Sequence, residues 1–581
     1  MKVDLIIKNA NIFNVFLKKW VFGDISILDG KILYVGNSES VNLFSDNTIS
    51  VNGKYIIPSF IDIHMHIESS FCTPKIFAYE AIKHGITTVV AEPHEVANVF
   101  GRDGISQMIE KSRNLPIDIY YGLPSSVPST SNNIENNGGE ITEKDITYLI
   151  KTYDEIICLG EVMQYRNFIN NFEEFAINKK YDKTTKLIKT VKQENKLFAI
   201  EGHCPSVVDL DLASVLFFGI NSDHCLQSPN SMINRFEQGM FVQLQEKSIT
   251  KENIDLLKDG DFTGLYSFVT DDCPPNIFVE KGHLDYIFRK AIAVGLSFEK
   301  AIIASSYAPA KRMCFRDRGA LAPGYLADFL IIDKLDETFN IESVYKNGVN
   351  IDTEYLSNHK KKTIKIAFPK HFYNSMNVHE NFEISNALNI KYTKNKIVKT
   401  KVMRKNSIST YTQIAYKDFN IINNFVDWEN QDVNLVLSIN RYGKKSYGVG
   451  FMDGTQITNG AFCSTHAHDS HNILLLGDNK QDMIIAYERV LKIKGGMVFV
   501  SDGKILSEIA LTVGGVICET EMDVLSRQIT QIQNQLVEHG VIHPNPLMSL
   551  LTLSLPVSPS LKISDKGLID VETQTLTDLF L

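Results

Sequence analysis

Apolar residues follow two rhythms along this chain, and the rhythm changes near Tyr55. Before that point, short apolar runs at 4–9, 23–28 and 31–35 are separated by turn residues, including Asp29-Gly30, which predicts a small unit of β-strands. Beyond it, apolar runs of strand length alternate with segments of helical periodicity, the texture of βα units around a parallel sheet. Strands are predicted at 55–63, 87–91, 117–122, 155–159, 197–200, 219–221, 240–244 and 265–269, and helices at 74–84, 104–111, 284–293 and 297–305. Eight such strands suit a closed barrel.

Residues 319–350 return to β texture, with a turn-rich entry at 319–324 and strands at 328–332 and 343–346, and are expected to pair with the N-terminal strands. The remainder opens with Lys- and Asn-rich sequence and becomes a mixed α/β region. The fold class predicted is therefore α/β: a (β/α)8 TIM-like barrel at 58–309, a small discontinuous β-sandwich-like domain at 1–57 plus 310–350, and an additional C-terminal α/β domain at 365–581. A chain of 581 residues exceeds what one hydrophobic core usually holds, in keeping with several domains.

Composition narrows the function classes. The chain is 44% hydrophobic and 22% charged with a net charge of -9 and no block of like charge, which argues against nucleic acid or an anionic membrane as partner. Asp4, Lys8 and Asn9 interrupt the N-terminal apolar residues, and no run approaches spanning length, so a cytoplasmic location is expected. The eight cysteines lack CxxC spacing, as suits reduced thiols.

The chemistry-bearing residues fall where barrel enzymes build their sites, directly after apolar strands. After the first strand comes Asp62-Ile63-His64-Met65-His66, in which strand alternation sets His64 and His66 on one face. Glu161, His203 and His224 follow later strands, and Asp271 and Asp272 close the eighth. Taken singly, each could be a capping carboxylate or a core histidine. Together, four histidines and two carboxylates can hold two divalent cations, with Glu161 able to bridge them. Two ions about 3.5–4 Å apart can activate a shared water, and Asp271 is placed to carry its proton. The metal set is thus His64, His66, Glu161, His203, His224 and Asp271, with Asp271 and Glu161 catalytic.

This pattern resembles the amidohydrolase superfamily over residues 1–350: an HxH on the first strand, a carboxylate on the fourth, histidines on the fifth and sixth, an aspartate on the eighth. Glu161 stands where other branches carry a carboxylated lysine, and Ser59 where glycine is common. Within the superfamily the chain resembles the bacterial and archaeal adenine deaminases. The carriers are His64-Met65-His66-Ile67-Glu68-Ser69-Ser70, Glu92-Pro93-His94-Glu95, Glu201-Gly202-His203-Cys204-Pro205, Thr270-Asp271-Asp272 and, near the C-terminus, His468-Asp469-Ser470-His471-Asn472.

The resemblance implies hydrolysis of adenine to hypoxanthine and ammonia in purine salvage, manganese or ferrous iron as the cation, and a homodimer. The alternatives are an amidohydrolase acting on a cyclic amide, an N-acetyl sugar or a different aminopurine, or a scaffold that has lost catalysis. The zinc nucleobase deaminases, with their His-x-Glu and Pro-Cys-x-x-Cys pattern, are excluded.

His94, Glu95 and Asp272 are candidates for contacting the base. His468, Asp469 and His471 are assigned no catalytic role. Glu68-Ser69-Ser70 reads as the cap region of the first barrel helix, and Cys204, Cys225 and Cys273 as packed thiols.

Overall fold

The computed structural model describes residues 1–195, 198–362 and 367–581. Five strands precede the central part: β1 (Leu5–Asn14), β2 (Lys19–Leu28), β3 (Lys31–Gly36), β4 (Thr48–Ser50) and β5 (Tyr55–Pro58). Eight parallel strands follow: β6 (Phe60–Met65), β7 (Ile86–Ala91), β8 (Asp118–Leu123), β9 (Ile156–Val162), β10 (Ala199–Gly202), β11 (Ser222–Asp223), β12 (Phe241–Leu244) and β13 (Tyr266–Phe268). They form a run from β6 to β10 and a run from β11 to β13. Between the runs, the Asn221 amide donates to the Ile200 carbonyl at 3.2 Å; beyond β13, Met65 bridges to Asp271 in parallel.

Three sequence expectations are corrected. The predicted strand 55–63 is two strands, because hydrogen bonding changes sheets at Ser59: its amide donates to the Asp328 carbonyl at 3.2 Å and its buried hydroxyl meets that of Thr87 at 2.5 Å. Apolar periodicity is blind to such a switch, since both halves are strand. The sixth strand begins at Ser222, not at 219, because Gly219 (φ 96°) first ends the preceding helix in a left-handed conformation. The sandwich-like domain is one mixed eight-stranded sheet, in which β14 (Phe329–Ile332) pairs antiparallel with β5 and continues to β15 (Ile341–Lys346) and β16 (Val349–Asn350). The predicted strand start at 197 and domain start at 365 lie outside the described residues.

The C-terminal region holds a nine-stranded sheet between Ile397 and Ala510. Its faces separate by alternation. Leu474 and Leu476 join the core that contains the parallel strands, whereas Ile473 and Leu475 join a second core with Ala486 and Val490 of the helix Lys480–Lys492. One sheet face thus packs toward the parallel strands, which places its loops near their C-terminal ends. Among the described residues, no helix is long and apolar enough to cross a membrane.

Candidate metal centre

β6 ends at Met65, and its alternation brings His64 and His66 to the same end of the parallel strands as Asp271, which follows β13. Asp271 is tied there by its backbone: its amide donates to the His64 carbonyl at 3.1 Å, and the His66 amide donates to its carbonyl at 3.4 Å. It sits at φ 56°, a left-handed conformation that aspartate tolerates better than most residues. Asp62 secures the same seam, accepting from the Thr270 amide at 3.1 Å and hydroxyl at 2.6 Å. Burial pushes the Asp62 carboxyl up to about 7 against those hydrogen bonds.

Glu161, the penultimate residue of β9, is the hub. Its Oε2 lies 2.9 Å from His203 Nδ1 and 3.1 Å from His224 Nε2, and its Oε1 lies 3.8 Å from His66 Nε2 and 3.9 Å from His94 Nδ1. Asp271 Oδ1 stands 3.3 Å from His66 Nε2 and 3.7 Å from His64 Nε2. Burial opposes ionisation of Glu161, but the hydrogen bonds of His203 and His224 outweigh it and hold the carboxyl well below its usual range. Asp271 is likewise held low: burial is outweighed by the hydrogen bond of His66 and by the field of His224.

The donors fit divalent cations. His66 Nδ1 faces the Glu92 carbonyl at 3.0 Å and keeps its proton, so Nε2, turned toward Asp271 and Glu161, is the nitrogen a cation would take. Burial opposes the His66 cation, but the Asp271 hydrogen bond and the nearby carboxylates outweigh it and hold the ring well above its usual value. His64 Nε2 is buried with no hydrogen-bond partner, and burial with repulsion from His224 keeps that ring neutral. His203 Nδ1 and His224 Nε2 come within 3.1 Å of each other beside one carboxylate oxygen, a two-nitrogen, one-oxygen set of the kind a divalent cation takes. The buried Asp223–Arg235 pair aligns these two histidines: Asp223 receives Arg235 Nε at 2.7 Å and the Cys204 amide at 2.9 Å.

All six sequence-assigned residues therefore meet, and two of the three candidate substrate residues, His94 and Asp272, stand beside them. His94 Nδ1, buried and unpartnered, is 4.0 Å from Glu92 Oε1, and Asp272 accepts from Ser69. Glu95 faces the other way. Its carboxylate is gripped by His471 Nε2 and, at 2.5 Å, by His468 Nδ1, with His94 Nε2 at 3.5 Å. Burial would raise Glu95, yet His468, His471 and His94 hold it well below the carboxylate range. The expectation that Glu68-Ser69-Ser70 caps the first helix is corrected. Those residues form a 3-10 turn, the helix Pro74–Ala81 starts after Thr73, and the Ser69 hydroxyl is spent on Asp272. Cys204, Cys225 and Cys273 are buried free thiols, and burial pushes each of them up.

Two site residues escaped sequence reasoning. Glu92 follows β7, and its Oε2 accepts the Glu161 amide at 2.6 Å; burial, then repulsion from Glu161, lifts its carboxyl to about 8. Gln245 follows β12 and donates from Nε2 to Asp271 Oδ2. The rule that picks out the candidate ligands, a polar residue just beyond an apolar strand, points to both.

The amidohydrolase family model matches residues 55–200 and 216–351, and that of the adenine deaminase C-terminal domain matches 409–575. An adenine deaminase of Clostridium perfringens is 42% identical over all of both chains. Adenine deaminase 2 of Shouchella clausii is 37% identical over 100% of this chain and 99% of its own, and the adenine deaminase of Kosmotoga olearia 33% over 100% and 96%. With both family models matched in order and this identity sustained from end to end, the chain belongs to the adenine deaminase family of amidohydrolases.

Proposed function

We propose that this chain hydrolyses adenine to hypoxanthine and ammonia at two divalent cations, held where β6 to β13 close into a (β/α)8 barrel. The observation that carries the reading is the clustering of His66, His203 and His224 around Glu161 and of His64 and His66 around Asp271, with His64 Nε2 left unpartnered. His64, His66 and Asp271 would hold one cation, His203 and His224 the other, and Glu161 would bridge them. Manganese suits this mixed oxygen and imidazole set, with ferrous iron the second choice.

Divalent cations bound there supply the Lewis acidity that makes water a competent nucleophile at neutral pH. Asp271, kept ionised, accepts the proton that water gives up and returns it to the departing amine. Gln245 fixes the orientation of that carboxylate from its second oxygen, and Glu92 anchors Glu161 through the backbone. His94 and Asp272 line the approach to the base, while Glu95 holds His468 and His471 of the C-terminal loop.

The test is ammonia release from manganese-loaded, air-protected protein, with the ultraviolet change from adenine to hypoxanthine followed in parallel. The reading requires both signals in the wild type and their loss in Asp271→Asn at unchanged metal content. A doubly loaded protein that leaves adenine intact refutes it.

A further inference from the structure

The loop of residues 465–472 joins two strands of the C-terminal sheet, and its histidines reach Glu95, the neighbour of His94. Its position is fixed from several sides. His468 Nδ1 and His471 Nε2 hold Glu95, the Tyr442 hydroxyl donates to the Ser470 carbonyl at 2.6 Å, and Asn472 Nδ2 donates to the Asn136 carbonyl at 2.8 Å. Arg441 donates to the His471 carbonyl from Nε and to Gly514 from Nη1 at 2.7 Å.

Inside this clamp, two polar atoms are left over. His468 Nε2 and Asp469 Oδ2 are buried and have no hydrogen-bond partner, although their residues are only 7% and 3% exposed. Native structures rarely leave buried polar atoms unpaired unless something else completes them. The loop is one residue removed from the metal centre: the Glu95 oxygen that His468 Nδ1 holds at 2.5 Å lies 3.5 Å from His94 Nε2, and His94 Nδ1 lies 3.9 Å from Glu161 Oε1. With Nδ1 committed to Glu95, His468 has Nε2–H to donate, and Asp469 has Oδ2 to accept. The pair is a donor beside an acceptor.

We propose that His468 and Asp469 read the N3/N9–H edge of a free aminopurine, so that this loop selects the base over its nucleoside. The inference rests on the deamination reading above and names the substrate class it implies. In adenine the reacting carbon C6 lies directly across the six-membered ring from N3, and N9–H neighbours N3 through C4. With C6 at Glu161 and Asp271, the opposite edge meets the C-terminal loop, presenting one lone pair and one N–H side by side. His468 Nε2–H donates to N3, and Asp469 accepts from N9–H. A sugar at N9 removes the donor and adds bulk against a buried, immobilised loop, and a site built around a hydrogen bond rejects the analogue that lacks it strongly.

The experiment uses full-length, manganese-loaded protein with adenine and 9-methyladenine. The wild type is expected to prefer adenine in kcat/KM by about a hundredfold or more. Asp469→Asn, with both metals retained, should raise KM for adenine about tenfold or more, keep kcat within a few-fold, and shrink the preference by a similar factor. His468→Gln should raise KM for adenine but cost little with 3-deazaadenine, which lacks the N3 acceptor. An Asp469→Asn protein with wild-type KM, preference and thermal midpoint overturns the proposal; should that variant misfold, an unchanged KM in His468→Gln does so. If wild-type protein releases no ammonia from adenine, the deamination reading has failed by itself. Calorimetric binding of adenine and 9-methyladenine to manganese-loaded Asp271→Asn, with and without Asp469→Asn, then decides the edge assignment: a preference for adenine that Asp469→Asn abolishes supports it, and equal affinities overturn it.

Discussion

Glu161 and Glu95 are both buried carboxylates flanked by imidazoles, yet they are assembled from different material. The neighbours of Glu161 come mainly from strand ends of one parallel array, and they face it at 2.9–3.9 Å with His64 Nε2 beside them unsatisfied. Two of the three histidines at Glu95 come from the C-terminal region, more than 370 residues away in sequence, and both grip it in short charge-assisted hydrogen bonds. The first cluster is the nitrogen and oxygen donor set that the proposed cations would share. The second is closed by hydrogen bonds between protein groups, with His468 Nε2 and Asp469 Oδ2 left as buried atoms without a partner. In the proposed reading Glu161 would organise metal, whereas Glu95 joins two regions and holds the loop 465–472.

Four substitutions and one titration would sharpen or break that contrast, taken from the largest expected effect to the smallest. Asp271→Asn should lower kcat about 10²–10⁴-fold with metal content retained, measured by ammonia release beside elemental analysis. Glu161→Gln should cut bound manganese from two equivalents to one or fewer; full retention would mean Glu161 bridges nothing.

Glu95→Gln should do the reverse. It leaves metal content intact but lowers stability by about 3–5 kcal/mol, the usual cost of removing one partner from a buried ion pair, seen as a lower thermal midpoint. Unchanged stability would remove Glu95 from the joint.

The joint should also carry a pH signature. Burial disfavours the His468 cation, but Glu95 outweighs burial and raises the imidazole to about 9. A raised folded-state value contributes stability that is complete below the unfolded value of about 6.5 and lost as pH climbs toward 9. The thermal midpoint gap between wild type and His468→Gln should therefore be widest near pH 6 and narrow by pH 9; a gap that widens with pH contradicts the assignment. Smallest of the five, Ser69→Ala frees Asp272 and should change KM for adenine by only a few-fold.

The same contrast explains what was legible in the sequence. His64, His66, Glu161, His203, His224 and Asp271 could be found because a parallel array puts the residue after each strand at one end, so local patterning translates into spatial convergence. Gln245 and Glu92 obey the same rule and were overlooked because neither matches a ligand type expected at its strand. The partnership of Glu95 with His468 and His471 obeys no local rule. It depends on which face of the C-terminal sheet packs inward, and alternation alone does not say which partner each face receives. Ser59 was opaque for a related reason: strand propensity continues through it while hydrogen bonding passes from one sheet to another.

The central claim is that two cations at the Glu161 hub carry out the deamination, and stoichiometric reconstitution tests it most directly. Metal-free protein would be titrated anaerobically with manganese while ammonia release from adenine is recorded. The account predicts no activity without metal and a rise that levels off at two equivalents per chain. Full activity at one equivalent, or turnover by the metal-free protein, would contradict it.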